Sequence, residues 1–262
     1  DVLVRDVISP LRDFLLRLPW LVVVVFFAFV AWLSKGWRLA AGVGGCLLLL
    51  AAMGSLPGVH PVRIWDLAMD TLSQVLVAIV ISVIIALPLG ILAGRSDRVE
   101  RLLRPLLDLA QVLPQFVYLI PVVFLFSPGR SAGVVACVIY AVPPCVRLVN
   151  LGLREVPYAP REAAISFGAN SRQEMRNVQL PLAAKSILLG INQTLMMVLA
   201  TVVIAALIGS GALGLVVVTA SSKPNDQFGQ GLVGGLGIVL LAIVLDRITQ
   251  AWGQRSAATH RS

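Results

Sequence analysis

One polar segment, residues 161–185 (REAAISFGANSRQEMRNVQLPLAAK), lies between long apolar stretches of this sequence. It carries two carboxylates, Glu162 and Glu174, and four basic residues. Such side chains can form ion pairs and hydrogen bonds with another surface. The small residues Ala163 and Ala164 would let that surface approach the backbone closely. The pattern by itself fits two interpretations equally: a docking site, and an amphipathic loop that lies on lipid headgroups.

Residues that could catalyse a reaction are few. The two histidines, His60 and His260, lie outside the apolar runs, and Cys46, Cys137 and Cys145 lack the spacing of metal ligands. A membrane enzyme needs a nucleophile with a base, or a metal cluster. An ion-coupled transporter usually needs a carboxylate within the membrane, and the deep interiors of the apolar runs carry no charge. We therefore expect neither class, and we expect the cysteines to be packing residues.

A second pattern, GSGALG at residues 209–214, fits the glycine spacing of a dinucleotide-binding loop. Its context does not fit, because the preceding residues belong to an apolar stretch of membrane-spanning length. We interpret these glycines as a tight turn at the end of a span, where glycine permits a positive φ.

The composition indicates which elements must position these segments. The chain has 262 residues, 58% of them hydrophobic and only 13% charged, whereas a soluble domain has about 25% charged residues. A bilayer-spanning helix needs roughly 20 apolar residues. The sequence predicts an all-α polytopic membrane protein with about seven spans, preceded by an amphipathic surface helix at residues 1–18. The predicted spans are 19–34, 38–56, 67–94, 105–126, 131–151, 182–208 and 231–248.

The basic residues predict the orientation, since Lys and Arg collect in cytoplasmic loops. If segment 161–185 is cytoplasmic, 15 of the 21 Lys and Arg residues lie on that side. The net charge of +8 is then explained by the membrane rather than by nucleic acid. We expect the N-terminus outside and the C-terminus in the cytoplasm.

Local signals divide the polar segment into two short helices. Pro160 predicts a helix start, and Gly168 predicts its end as a C-terminal cap. Ser171 and Glu174 have the spacing of a capping box for a second helix, which would end near Leu180. Pro181 would then open the sixth span.

The same segment resembles the EAA signature of ABC-importer permeases. Glu162-Ala163-Ala164, Gly168, Val178 and Leu180-Pro181 match it at full spacing, although the family usually has Ile in place of Val178. Longer stretches, including RPLLDLAQVLPQFVYLIPVVFLF and GINQTLMMVL, are similar to permeases of glycine betaine/proline/choline importers. This similarity covers most of residues 66–252, and it identifies GSGALG as a family turn in which Gly is more usual than Ala212.

The resemblance implies a type I importer permease fold and a transport function. It implies that a coupling helix docks into a groove on a separate ATPase, through Glu162, Ala163, Ala164, Ile165, Phe167, Gly168, Val178, Leu180 and Pro181. The implied partners are two ABC ATPase subunits, a second permease copy and an external substrate-binding protein. No cofactor is expected in this chain, since ATP and Mg would bind to the ATPase. The expected location is the bacterial cytoplasmic membrane.

Several polar and flexible side chains in the predicted spans are candidates for the solute path: Gln111, Gln115, Asn192, Gln193, Thr194, Met196 and Met197. Each could equally form a contact between helices or fill the core. The sequence does not choose among betaine, proline, choline and carnitine. An ABC permease for another small amino acid or cation, and a stand-alone channel, are the alternatives.

The predicted organisation has four parts. They are the amphipathic helix 1–18, two peripheral spans in 19–65, a permease core 66–252 with a cytoplasmic coupling loop 152–181, and a cytoplasmic tail 253–262.

Overall fold

The computed structural model describes residues 2–53 and 64–259, and every regular element in them is a helix. Both histidines, residues 54–63 of the predicted peripheral segment 19–65 and the last three residues of the predicted tail lie outside the described residues. The all-helical prediction is confirmed.

Eleven helices follow one another in the described chain. Their bounds are α1 Val4–Arg17, α2 Trp20–Lys35, α3 Trp37–Met53, α4 Ile64–Arg95, α5 Asp97–Val112, α6 Gln115–Phe126, α7 Arg130–Arg154, α8 Tyr158–Ser166, α9 Ser171–Leu207, α10 Ala212–Ser222 and α11 Pro224–Thr259. Residues Val4–Ile8 of α1 and Met175–Gln179 of α9 have π-helical pairing.

Four helical segments are long and apolar enough to cross a membrane by themselves: α4, α7, α9 and the part Gln227–Ala251 of α11, which is kinked at Gln227 (φ −127°). The described part of the chain has up to six spans if the bent pairs α1–α2 and α5–α6 each count as one. Helix α3, with 17 residues, matches the remaining predicted apolar run. Each of the seven predicted runs therefore coincides with helical structure.

The fourth predicted span, 105–126, is not a continuous helix. The chain bends by 102° between α5 and α6. Leu113, which precedes Pro114, is extended, with φ −64° and ψ 128°, as expected before a proline. Helix α5 is strongly amphipathic and buries none of its residues, so only α6 continues the apolar run. In contrast, Pro88, Pro121, Pro143 and Pro144 lie inside continuous helices.

The centre of the fold is α7, which packs along both α4 and α9. Small residues allow these helices to approach closely. A Cβ on Gly90 would lie 2.6 Å from Cβ of Val149, and one on Gly190 would lie 3.4 Å from the carbonyl oxygen of Cys145. Cys137 and Cys145 are buried in these contacts, as the sequence predicted. Close backbone approach through small residues is the usual way in which membrane helices associate.

Helix α1 packs against α4, so it does not lie only on the membrane surface. It buries Ile8 and Leu15 in the main hydrophobic cluster. Its Arg12 side chain lies 3.4 Å from a carboxylate oxygen of Asp70 on α4. The predicted amphipathic helix is present, and its apolar face packs on protein.

The crossing of α4 and α7 generates a prediction. Gly90→Val should destabilise the protein by about 1–3 kcal/mol, because overpacking at a tight contact forces side chains and backbone to shift. The midpoint of thermal unfolding of the purified protein in detergent measures the change.

Gly45→Val is the matched control. Gly45 is also helical and exposed, and a Cβ there meets nothing within 4 Å. We expect its unfolding midpoint to stay close to that of the wild type. Equal unfolding midpoints for the two variants would show that the α4–α7 crossing tolerates a side chain.

Candidate functional site

The polar segment begins directly after α7. Pro157 occupies the N-cap of α8, with φ −55° and ψ 145°, and the helix starts at Tyr158. The predicted start at Pro160 is therefore too late. Pro160 fits within the first turn, where the helix leaves N–H groups unpaired and the missing donor of proline costs nothing.

The end of α8 is the predicted glycine cap. Gly168 has φ +84°, and the N–H of Ala169 donates to the carbonyl of Ala164 at 3.0 Å. The N–H of Phe167 donates to Ala163 at 3.0 Å. These bonds satisfy carbonyls that the helix end would otherwise leave free, so α8 ends at the glycine turn.

The capping box that follows uses residues other than the predicted pair. Asn170 is the N-cap of α9, and its side-chain oxygen accepts from the N–H groups of Arg172 and Gln173 at 3.1 and 3.0 Å. Gln173 Oε1 accepts from the N–H of Asn170 at 2.9 Å. The prediction of Ser171 with Glu174 was wrong by one residue, because the Glu174 carboxylate is engaged elsewhere.

Glu174 connects α8 to α9. Its Oε1 accepts hydrogen bonds from Arg161 Nε on α8 and from Gln179 Nε2 on α9, both at 2.7 Å. Glu174 is only 8% exposed, which makes this the buried polar link of the segment. This link was not predicted from the sequence. The available signal was an acidic residue, Glu174, thirteen positions after Arg161.

The link carries a defined charge state. Glu174 lies in the polar start of α9, before the apolar part of that helix. The hydrogen bond from Arg161, supported by that from Gln179, holds the pKa of Glu174 below its ordinary value. The carboxylate is therefore ionised at neutral pH and pairs with the Arg161 guanidinium.

No separate second helix ends near Leu180. Helix α9 continues through Pro181 to Leu207, a length of 37 residues. The π-helical turn Met175–Gln179 precedes the proline, and the N–H of Leu180 donates to the carbonyl of Met175, five residues back. This wider pairing explains why the helix passes a residue that lacks an N–H. The prediction of a break at Pro181 was wrong.

The predicted coupling residues fall into two groups. Ile165 and Phe167 are 53% and 92% exposed, and Glu162, Ala163 and Gly168 are exposed as well. Ala164, Val178, Leu180 and Pro181 are half-buried, and Leu180 packs on the cluster that contains Val149 and Met175. The first group forms an exposed surface, whereas the second group is partly buried beneath it.

An ion-pair network anchors the helix from which α8 emerges. Arg154, at the end of α7, pairs with Asp97 at 2.7 Å and with Glu100 at 3.0 Å on α5. One turn earlier, Asn150 Nδ2 donates to Glu100 at 3.2 Å. Two turns before Arg154, Arg147 pairs with Asp108. Helix α5 is thus attached along the end of α7. These partners could not be predicted from local sequence, because they lie about 40 to 60 residues apart.

The candidate path residues do not form one cluster. Gln111 is exposed on α5, and Gln115 is half-buried at the start of α6, with its Oε1 buried and without a partner. On α9, Met196 is exposed and Gln193 is half-buried, whereas Met197 packs on the core. The described hydrogen bonds join none of these residues to one another.

Two of the candidate path residues bind elsewhere. Asn192 Nδ2 donates to Asp246 on α11 at 3.1 Å. Thr194 is fully buried and donates to the carbonyl of Gly190 in its own helix at 3.0 Å. The first contact joins α9 to α11, and the second lies within α9.

Comparison with protein families identifies this arrangement. Residues 86–257 match the family described as binding-protein-dependent transport system inner membrane component. This range covers most of the chain and includes α8 with its glycine turn. The chain belongs to this family. It is therefore a multi-pass protein of the cytoplasmic membrane and a member of the ABC permeases.

Individual relatives agree with this assignment. The permease is 44% identical over 250 residues to the glycine betaine/proline betaine transport system permease protein ProW of Escherichia coli, covering 95% of this chain and 68% of that protein. It is 41% identical over 235 residues to the glycine betaine transport system permease protein OpuAB of Bacillus subtilis, covering 89% of this chain and 79% of the relative.

A solved structure shows the same fold. A chain of the MetNI methionine ABC transporter, in an inward-facing conformation, is similar with a TM-score of 0.61 and 22% identity. The similarity covers 72% of this permease and 91% of the MetNI chain. The type I importer permease fold expected from the sequence is confirmed.

The Glu174 link predicts a measurable effect. Glu174→Ala leaves Arg161 and Gln179 without their acceptor, and hydrogen bonds to a charged group contribute about 1.5–3 kcal/mol each. Backbone amides of residues 158–169 should therefore exchange with deuterium roughly ten- to a hundredfold faster. Hydrogen–deuterium exchange with mass spectrometry measures this.

Glu155→Ala is the control, because Glu155 is exposed and close in sequence, and its side chain has no described hydrogen bond. We expect its exchange rates to match the wild type. Unchanged exchange in the Glu174→Ala variant would mean that the carboxylate does not hold α8 in place.

Proposed function

We propose that this permease forms the translocation path of an ATP-driven importer and couples it to a separate ATPase through α8. The proposed solute is a small zwitterion or quaternary amine, the class to which the solutes named for the two relatives belong. A permease for another small amino acid or cation is the second candidate, and a stand-alone channel is the third.

The observation that carries the proposal is that α8 is exposed and is at the same time attached to α9. This nine-residue helix buries none of its residues, yet its glycine turn, the Asn170 capping box and the Glu174 link join it to a continuous 37-residue helix. An exposed helix with a protruding Phe167 is suited to dock into a groove of another protein. Its attachment to α9 would pass any displacement of that groove into the membrane part.

The coupling follows from rigid-body motion. When ATP closes two ATPase subunits, their grooves move, and each groove carries a docked α8 with it. One chain supplies one such helix, so two ATPases need a second permease copy, most simply an identical one. ATP and Mg would be held by the ATPases, and this chain would need no cofactor. An external binding protein would deliver the solute.

The charges of the described spans are compatible with a solute that carries no net charge. Asp70 on α4 is buried but paired with Arg12 and Arg130, and Asp246 on α11 accepts from Asn192 and Gln250. These carboxylates already have partners, so a quaternary ammonium group would not be held at an unpaired fixed charge. This supports a zwitterion or a quaternary amine more than an ion-coupled mechanism.

The proposal includes an orientation. Segment 158–181 and the basic residues Arg95, Arg98, Arg101 and Arg104 would face the cytoplasm, in agreement with the bias of positive charge. The N-terminal helix α1, the α6–α7 turn and the α9–α10 turn would then face outward.

Docking of α8 is tested by Glu162→Lys and Gly168→Val. The first variant reverses the exposed charge at the start of the helix, and the second forces a β-branched residue to φ +84° and changes the turn. Both should weaken binding of the ATPase in a pull-down by tenfold or more. Loss of a buried charged contact at an interface costs about 2–5 kcal/mol, and the changed turn at Gly168 would displace α8 from its groove. They should also abolish ATP-dependent uptake of glycine betaine into proteoliposomes that contain the ATPase and the binding protein.

The controls keep the same chemistry at other positions. Glu155→Lys reverses an exposed charge in the same loop, and Gly36→Val replaces a glycine with φ +90° between α2 and α3. Both should bind the ATPase normally. Recovery of the ATPase at the wild-type level with Glu162→Lys and Gly168→Val would contradict docking through α8, and solute flux through the permease alone would support the channel.

Orientation is tested by cysteine labelling in a variant whose three native cysteines are replaced by alanine. Ser166→Cys, at the exposed end of α8, should react with a membrane-impermeant maleimide only after the cells are opened. Ser222→Cys, at the exposed end of α10, should react in intact cells. The reversed labelling pattern would overturn the proposed orientation.

A further inference from the structure

A cavity of about 650 Å³ opens at the end of the molecule opposite α8. Three parts of the chain meet there: the start of α1, the turn between α6 and α7, and the turn between α9 and α10. The lining side chains used below are Arg5, Ser9, Phe126, Arg130 and Ser131. The volume lies within the range of small-molecule sites. In the proposed orientation this cavity faces the outside.

The cavity has a positive lining. Arg5 and Arg130 contribute to it, and no acidic residue is among its described lining residues. Arg130 gives one N–H, on Nη2, to Asp70 Oδ2 at 2.8 Å. A guanidinium has five N–H donors, so Arg130 keeps others for a ligand while Asp70 holds it in position. This arrangement suits an anion, and a planar carboxylate in particular.

Ser131 is a second and independent observation. It is 5% exposed, and its Oγ is buried without a hydrogen-bond partner in the described structure. Buried hydroxyl groups nearly always have a hydrogen-bond partner, so the unpaired Oγ of Ser131, beside the cavity, is available to hydrogen-bond a ligand. Ser131 is in the first turn of the 25-residue α7, where free backbone N–H groups and the helix dipole also favour a negative charge.

An aromatic residue lies in the same cavity. Phe126, at the end of α6, is 44% exposed and lines the cavity with the two arginines. An aromatic face attracts an ammonium cation by the cation–π interaction. The cavity therefore offers partners to both ends of a zwitterion.

We propose that this cavity is an entry site that binds the carboxylate of a zwitterionic solute through Arg5, Arg130 and Ser131. Phe126 would contact the cationic end. The inference rests on the proposed function, because it takes its solute class and its outward orientation from there. It adds a site at the outer mouth that is separate from the seven candidate path residues.

The test uses a cysteine reporter in the permease, reconstituted in liposomes without the binding protein. Ser127 is exposed and lines the cavity. In the variant without native cysteines, Ser127→Cys is labelled from outside with an impermeant maleimide, with and without added solute. Three probes are compared at equal ionic strength: glycine betaine, acetate as a carboxylate alone, and choline as a trimethylammonium group without a carboxylate.

We expect glycine betaine and acetate to slow labelling, by roughly tenfold when the probe reaches about ten times its dissociation constant. Choline and an equivalent concentration of sodium chloride should have no comparable effect. Arg5→Gln and Ser131→Ala should each remove the protection. Arg17→Gln, on the same helix outside the cavity lining, and Ser82→Ala, which removes another buried hydroxyl without a partner, should retain it.

Other outcomes overturn the site. Equal protection by choline or by chloride would show that no carboxylate is recognised, and protection that persists in Arg5→Gln and Ser131→Ala would place the binding elsewhere. Labelling only from the inside would refute the outward orientation. If carboxylate protection is found but ATP-driven uptake is not, the proposed function fails and the site stands. If ATP-driven uptake is found but carboxylate protection is not, the proposed function stands and only the proposed entry site is refuted.

Discussion

The close approach of α7 to α4 and α9 is the constraint on which the rest of this structure depends. Lipid tails are as apolar as the side chains of a membrane helix, so van der Waals packing must hold the helices together. Glycines at the crossings supply it. A Cβ on Gly90 would meet Val149 at 2.6 Å, and one on Gly133 would meet Cβ of Ser210 at 2.5 Å. These contacts bring both ends of α7 against neighbouring elements at fixed positions.

The two ends of α7 carry the polar chemistry of the protein. At its start, Arg130 pairs with Asp70, and Gln74 Nε2 donates to the carbonyl of Ser210 at 3.1 Å, which ties the α9–α10 turn to α4. At its end, Arg154 pairs with the acidic residues of α5. An ionisable group in a membrane protein is costly without a partner. The arginines of α7 are therefore placed where acids of other helices meet them.

This arrangement gives a physical basis for coupling between the two ends. Helix α8 follows directly from α7 and is joined to α9 by the ionised Glu174 carboxylate. Helix α9 then runs without a break along α7 to the turn that lines the cavity at the start of α7. A displacement of α8 would reach that turn through α7 and α9, which are packed together and would move as one body.

The amino-acid sequence by itself determined the features that depend on local composition and spacing. Apolar runs of spanning length predicted where the helices lie, because a bilayer demands length and hydrophobicity from each span. The glycine cap at Gly168 and the positive φ values at Gly209 and Gly211 also follow from local chemistry. The EAA spacing identified the family.

Only the tertiary structure decided which polar groups became partners. Glu174 had the spacing of a capping residue, yet Arg161 and Gln179 recruit it, and Asn170 takes the cap instead. Pro114 breaks its predicted span, whereas Pro181 does not, since a π-helical turn before Pro181 adjusts the backbone pairing. Asp70, Arg12 and Arg130 are far apart in sequence, and only helix packing brings them together. The residue types determine which groups need a partner once they are buried, and the packing of distant helices determines which partner each group finds.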